Sequence, residues 1–235
     1  MHTMRTIGLI FGAITIAAIG VLIALIVWLG PWLGIATGLV VAVAIVASYE
    51  LVIGSWARRW GATDDDVRRG LPGDELLRPD VPRTTRAISI AAPPADVFPW
   101  LRQIGLGRGG WYSYDWIDND GKPSVDRIDP ALAFDVGDQI EMVPGMGPTV
   151  VAIEPDHAIV SAGERDAWTL VVEPLDGGSR LISRWRQDWP GGIGTFLWAS
   201  IVDPGAFVME RKMLLRLRQF AESATRARAD GVARR

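Results

Sequence analysis

The sequence contains no cysteine, which excludes disulfide bonds and thiolate metal sites. Its two histidines, His2 and His157, are too few for a histidine-based metal centre. We therefore expect no metal ion, and no sequence pattern calls for a cofactor. Neither a Ser/His/Asp nor a Cys/His constellation is evident, which weakens an enzymatic function without removing it.

An excess of positive charge is also missing. Only three of the 24 Lys and Arg residues and one of the 27 Asp and Glu residues precede residue 61, so residues 61–235 carry a net charge of −5. A nucleic-acid-binding domain normally presents a basic surface to the phosphates. The charge balance therefore argues against nucleic acid as a partner.

Charged residues are absent from residues 7–29, and a second apolar run follows from residue 32 to Trp56, interrupted only by Glu50. At about 1.5 Å per residue, each run is long enough to cross a hydrocarbon core about 30 Å thick. Gly30-Pro31 is a natural break between two helices. A cleaved signal peptide would have a shorter apolar run that ends at a small-residue site. The pattern predicts a two-helix transmembrane hairpin over residues 1–60.

The charges that flank the two runs predict the orientation of the hairpin. Arg5 precedes the first run and Arg58-Arg59 follow the second, whereas the connecting turn is uncharged. The positive-inside rule places both ends in the cytoplasm, so we expect a cell-membrane protein with a cytoplasmic C-terminal domain. Trp56 and Trp60 fit an interfacial aromatic anchor. Glu50 is either a carboxylate near the interface or a functional intramembrane acid.

The rest of the chain divides by composition. Residues 61–85 are predicted to be a polar linker, residues 86–226 a folded domain and residues 227–235 a basic tail. The domain begins with a strand and a helix, continues with short strands that include residues 138–144, 149–155 and 158–163, and forms a hairpin across Asp176–Gly178. A long amphipathic helix begins at Asp203-Pro204. This order predicts an α+β, helix-grip architecture, in which a curved antiparallel sheet wraps the C-terminal helix and leaves an apolar cavity.

The stretch GLGRGGWYSYDW contains G-x-G-x-x-G at Gly105, Gly107 and Gly110. A dinucleotide-binding loop must follow a strand and open a helix, so that the helix N-terminus faces the pyrophosphate. Here the glycines follow a predicted helix and lead into four aromatic residues. The motif is therefore interpreted as a tight turn beside an aromatic cluster.

The segments ISIAAPPADVFPWLRQIGLGRGGWYSYDWIDN, SVDRIDPAL, WTLVVEPLDGGSRLISRW and ERKMLLRLRQFAE together resemble the SRPBCC superfamily, the START/Bet v 1-like and polyketide cyclase-related helix-grip proteins. The most similar group is a bacterial branch with a Gly-Gly-Trp-Tyr-Ser-Tyr-Asp-Trp signature. The resemblance spans roughly residues 84–225 and implies the helix-grip fold. It leaves the activity open, because this superfamily includes lipid carriers, hormone receptors, cyclases and chaperone activators.

The leading hypothesis is a membrane-tethered binding module for a hydrophobic small molecule or lipid. Its aromatic residues either line the cavity or only fill the core, and Arg184 either faces solvent or points inward to hold a carboxylate or phosphate. The residues expected to contact the ligand are Trp100, Trp111, Tyr112, Tyr114, Trp116, Arg184, Trp185, Leu214 and Leu217.

Two alternatives belong to other functional classes. A cyclase- or hydratase-like enzyme would use Tyr112, Tyr114 and Asp115, provided that their polar atoms converge in the cavity. Asp115 has a simpler interpretation, as a turn cap or as an ion-pair partner of Arg108 or Arg127. The other alternative is a protein-interaction domain with a filled core. The arginines of the C-terminal helix either rest on anionic headgroups or form a solvated face.

Overall fold

The structure is a computed structural model that describes residues 2–188, 191 and 202–233. The first apolar run forms helix α1, His2–Leu29, and the second begins with helix α2, Pro31–Ser48. Gly30 joins them with a φ of 80°, which a glycine adopts without strain. A π-helical turn, Tyr49–Gly54, and a short helix α3, Ser55–Arg58, complete the second run.

The two long helices pack against each other and leave most of their apolar side chains exposed. A Cβ atom on Gly34 would lie 2.6 Å from the backbone of Ile26, so this position requires glycine for close helix contact. Val27 is 80% exposed and Trp32 is 86% exposed, which excludes the helices as the core of a soluble domain. Both are long and apolar enough to cross a membrane.

Residues 61–82, which fall within the predicted polar linker of residues 61–85, lie against the sheet. They contain helix α4, Asp64–Arg68, and a 3₁₀ turn, Asp74–Leu76. Thr63 and Asp66 form a capping box at the start of α4. Leu71 packs on the sheet in a small apolar cluster whose other buried members are Ala87, Ala158, Val171 and Ile182. The segment is polar because its polar groups bind arginines of the sheet, as described below.

The domain has the predicted α+β architecture. Strand β1, Arg83–Ile90, is followed by helix α5, Pro94–Leu101, by the short helix α6, Asp115–Asp118, and by a 3₁₀ turn, Pro130–Leu132. Within the described residues, the remaining elements are strands β2, Thr149–Glu154, β3, Ala158–Ala162, β4, Asp166–Leu175, and β5, Gly178–Gln187, and the long helix α7, Asp203–Ala233.

The five strands form one antiparallel sheet in the order β1-β5-β4-β3-β2. The β4–β5 hairpin turns at Asp176-Gly177, because Leu175 pairs with Gly178. One face of the sheet carries α5 and α7 over the main hydrophobic core, and the other face carries residues 61–82. The helix-grip prediction is confirmed, and the core lies between the sheet and α7.

One predicted strand is wrong. Residues 138–144 make only isolated bridges, from Gln139 to Thr149 of β2 and from Val143 to Met146, instead of forming a regular strand. The segment folds back on residues 146–150, where the Ile140 amide donates to the Pro148 carbonyl at 2.9 Å. Pro144 and Pro148 each lack an amide donor, so a regular strand ladder cannot continue through them.

Candidate functional site

The structure brings six of the predicted ligand-binding residues together between the sheet and α7. These residues are Trp100, Trp111, Tyr112, Trp185, Leu214 and Leu217. The Trp168 ring stacks between Trp111, at 5.8 Å between centroids, and Trp185, at 4.8 Å. On the α5 side, Trp100 stacks on Phe220 at 4.9 Å. Within the described residues, the interior is therefore packed by aromatic rings. Alternation along the sequence also predicts Trp189 on the strand face of Trp185, and Trp189 lies outside the described residues.

Tyr112 is fixed within this core. Its hydroxyl oxygen accepts a hydrogen bond from Gln103 Nε2 at 2.6 Å, and its backbone has a φ of 54°, unusual for a residue with a side chain. Gly109 leaves room for the hydroxyl, because a Cβ there would lie 2.6 Å from it. Burial raises the pKa of Tyr112 to about 12. The phenol therefore stays neutral at physiological pH.

The polar side-chain groups of the three residues of the enzymatic alternative have different partners, although Ser124 Oγ, which donates to Asp115, also accepts from the Tyr112 amide. Tyr112 bonds to Gln103, as above. Asp115 accepts from Ser124 Oγ at 2.5 Å and forms an ion pair with Arg216 at 3.3 Å, so its cation is neither Arg108 nor Arg127. Tyr114 is not among the described residues of the main hydrophobic core, and the Lys212 ammonium lies 3.8 Å from the centroid of its ring. These contacts do not assemble an acid–base pair around a shared substrate position.

Arg184 lies on the other face of the sheet. Its guanidinium is buried and hydrogen-bonds to Thr85 Oγ1, to Asp74 at 2.5 Å and to backbone carbonyls of residues 66, 67 and 69. The carboxylate held by Arg184 in this structure is thus that of Asp74, from the segment before the sheet. Trp116, the remaining predicted contact residue, is 54% exposed on α6.

An open cleft of about 250 Å³ lies outside the core, where α3 meets the first turns of α7. Trp56 packs edge-on against Phe207, with 5.3 Å between ring centroids, and Val208 is 48% exposed at the opening. Among the lining residues, only Tyr114 was predicted to contact a ligand, and Trp56 was predicted to be an interfacial anchor. The described lining residues are Trp56, Tyr114, Phe207, Val208, Arg211, Lys212 and Leu215.

A buried arginine holds the end of the apolar hairpin beside this cleft. Arg86 of β1 donates from Nε to the Ala57 carbonyl at 2.9 Å, and its terminal nitrogens pair with Glu210 and Asp203 of α7. Asp203 also lies 3.6 Å from Arg58. Because Arg86 is 2% exposed, these charge-assisted bonds fix α3, β1 and α7 against one another.

A second contact joins the start of α1 to the loop after α6. The Thr3 amide donates to Asp120 Oδ1 at 2.7 Å, and the Asp120 amide donates to the Thr3 hydroxyl at 2.8 Å. Hydrogen bonds from Thr3 lower the pKa of Asp120. Both ends of the apolar hairpin are therefore attached to the domain, and the cleft lies at this junction.

No protein-family model and no curated protein sequence matches the chain. Among solved structures, a protein from Mesorhizobium loti is 17% identical with a TM-score of 0.36, over 60% of this chain and 98% of its own. A polyketide-cyclase-like protein from Corynebacterium glutamicum is 19% identical with a TM-score of 0.29, over 63% and 90%. A protein from Rhizobium leguminosarum is 20% identical with a TM-score of 0.31, over 61% and 97%. At these values the likenesses carry no inference about function.

Proposed function

We propose that the chain is a membrane-anchored binding module for a lipid or another hydrophobic small molecule. The observation that carries this proposal is the cleft at the domain end of the apolar hairpin. Trp56 and Phe207 provide apolar surface there, and Arg211 and Lys212 stand at the same opening. An apolar ligand in the bilayer reaches such a cleft without crossing water, and each Å² of apolar surface that it buries contributes about 25 cal/mol.

The membrane anchor is part of the proposal. Two adjacent helices with exposed apolar side chains are stable when lipid replaces water around them. Arg5, near the start of α1, and Arg58 and Arg59, at the end of α3, lie on the domain side of the hairpin, and the positive-inside rule predicts a cytoplasmic domain. The cleft then faces the cytoplasmic leaflet.

A protein-interaction domain is the second candidate, because the described interior is packed by stacked tryptophans. A filled interior suits a domain that presents only its surface. We prefer the lipid function because the cleft lies at the junction with the hairpin. Both candidates predict an occupant at Val208, and the chemical nature of that occupant distinguishes them.

The test uses the full chain with the photoreactive amino acid benzoyl-phenylalanine incorporated at position 208 in the cell. The cells are irradiated first, and the chain is then purified in lipid nanodiscs. Irradiation in the cell followed by intact-mass spectrometry reports what is attached to the cleft. Leu175, 50% exposed at the β4–β5 turn, is the matched control position. We expect lipid-sized adducts at position 208 and far fewer at position 175. Protein adducts at position 208 would support the interaction domain, and equal labelling of both positions contradicts the lipid-binding function.

A further inference from the structure

We infer that the cleft selects phospholipids with an anionic headgroup, which Arg211 and Lys212 bind at the level of the bilayer phosphates. This inference rests on the proposed function and specifies its ligand. It follows from the pairing of charges around the cleft, from the positions of the two cations and from the size of the opening.

Arg211 and Lys212 have no carboxylate partner among the described residues. The nearby acids are already paired with other cations: Glu50 with Arg58 at 2.9 Å, Asp203 and Glu210 with Arg86, and Asp115 with Arg216. The arrangement therefore leaves two positive charges at the opening that no described acid neutralises. An anionic group is the complementary occupant.

Both cations rest on aromatic rings. The Arg211 guanidinium lies 5.2 Å from the Trp60 centroid, and the Lys212 ammonium lies 3.8 Å from the Tyr114 centroid. Cation–π contacts of this kind restrict the position of a charge without neutralising it. Trp56 ends the second apolar run and Trp60 follows it, at a position where tryptophans in membrane proteins mark the headgroup layer. The two charges are thus placed at the depth of lipid phosphates.

The volume of the cleft limits what part of a lipid can enter. Pockets that enclose a drug-sized ligand have volumes of about 300–1,000 Å³. This cleft, at about 250 Å³, is smaller. It accommodates a headgroup and the adjoining glycerol region, while the acyl chains stay in the bilayer beside the exposed faces of α1 and α2. The headgroup is therefore the part of the lipid that determines selectivity.

The experiment compares two photoreactive lipids with identical acyl chains, one phosphatidylglycerol and one phosphatidylcholine. Each is present in trace amounts in phosphatidylcholine nanodiscs that contain the full chain. One basic group near a membrane surface favours an anionic lipid by about fivefold. We expect the labelling ratio of phosphatidylglycerol to phosphatidylcholine to fall about fivefold in Lys212→Gln. It should fall roughly twenty-five-fold in Arg211→Gln/Lys212→Gln.

Two further variants separate binding from folding and from general charge. Arg218→Gln removes a cation from the same helix outside the cleft lining, so its labelling ratio should equal that of the unchanged chain. Lys212→Arg keeps the charge and should retain the selectivity. Thermal unfolding of each variant in the nanodisc verifies that the domain is intact.

Equal labelling by both lipids in the unchanged chain overturns this inference and leaves the broader lipid-binding function standing. Absence of labelling by either lipid overturns both. Loss of phosphatidylglycerol labelling on addition of millimolar inorganic phosphate, without a change at higher sodium chloride, would identify a site for free phosphate and also overturn the assignment to lipid. An equal fall of the ratio in Arg218→Gln would assign the effect to the charge of the whole helix, against the cleft.

Discussion

Asp118 carries a carboxyl group that the fold buries without a cation beside it. Its side chain lies on α6 and is 4% exposed. The Ser113 hydroxyl lies nearby, but neither oxygen of Asp118 has a well-directed hydrogen-bond partner in the described residues. Burial, followed by the negative charge of Asp115, raises the pKa of Asp118 to about 6. A charged Asp118 is therefore a source of instability in the folded protein at neutral pH.

The first prediction concerns the pH dependence that this group produces. Between the ordinary pKa of 3.8 and the folded pKa of about 6, the folded state binds more protons than the unfolded state. The contribution of Asp118 to the free energy of unfolding therefore increases as the pH falls from 7 to 4, by up to about 3 kcal/mol. Asp118→Asn should be more stable than the unchanged chain at pH 7 and should lose this part of the pH dependence.

Thermal unfolding of the full chain in detergent, from pH 4 to pH 7.5, measures the effect. Asp126→Asn, at an exposed position in the following loop, is the control and should reproduce the pH profile of the unchanged chain. If the pH profile of thermal unfolding in Asp118→Asn matches that of the control, the ionised Asp118 carboxylate does not destabilise the folded protein.

Among the structural elements, residues 61–82 depend on a row of arginines on strand β5. Arg180 pairs with Asp66 at 2.5 Å, Arg184 pairs with Asp74 at 2.5 Å, and Arg186 donates to the carbonyls of residues 74 and 78. Arg184 is 1% exposed, because the segment covers it. A buried cation of this kind requires its partners, since removal of one leaves an uncompensated charge.

The second prediction is that Asp74→Ala detaches this segment from the sheet. Loss of one partner of a buried ion pair costs about 3–5 kcal/mol of stability. Because Arg184 still donates to backbone carbonyls in the variant, we expect a cost toward the lower end of this range. Limited proteolysis should cut the variant within residues 61–82, where the unchanged chain resists. Asp80→Ala is the control, because Asp80 is 75% exposed and lies 4.0 Å from Arg78. Equal resistance of both variants would contradict a role for Asp74 in docking.

The elements were predictable from the sequence where local signals and periodicity agree. The β4–β5 hairpin has strong strand patterns around a glycine turn, and α7 has an Asp-Pro start and an apolar stripe. The sequence left open whether Arg184 faces solvent or points inward, and it gave no sign of what covers this side chain. The cover comes from residues far away in the chain, and such contacts leave no periodic signal. For the same reason the sequence predicted a polar linker at residues 61–85.

The same distinction applies to the candidate site. The aromatic composition of residues 111–116 predicted side chains that either line a cavity or fill the core, and in the structure Trp111 and Tyr112 join Trp100 in the core. The cleft was not predicted, because Trp56, Tyr114 and Lys212 come from three separate parts of the chain. Their proximity depends on how the domain docks on the hairpin, which is a property of the assembled molecule.

At the scale of the whole molecule, Arg86 is the residue that connects the hairpin to the domain. It lies in β1, and its partners Ala57, Asp203 and Glu210 come from the end of the hairpin and the start of α7. The π-helical turn before Ala57 contains Glu50, which binds Arg58, and Arg58 extends the same network to Asp203. The geometry of the cleft therefore depends on charges outside its own lining.

The last prediction is that Arg86→Met loosens the hairpin from the domain while both parts remain folded. The change leaves Glu210 buried without its cation and removes the donor to the Ala57 carbonyl. The free energy that stabilises the junction of hairpin and domain therefore falls by about 3–5 kcal/mol. Hydrogen exchange of the full chain in nanodiscs should become faster at residues 57–61 and in the first two turns of α7, but not in β4. Arg83→Met, at an exposed position of the same strand, should leave exchange unchanged. Photolabelling at position 208 should fall in Arg86→Met alone, because the cleft requires α3 and α7 to stay together. Unchanged exchange at residues 57–61 would show that Arg86 stabilises the sheet without holding the hairpin.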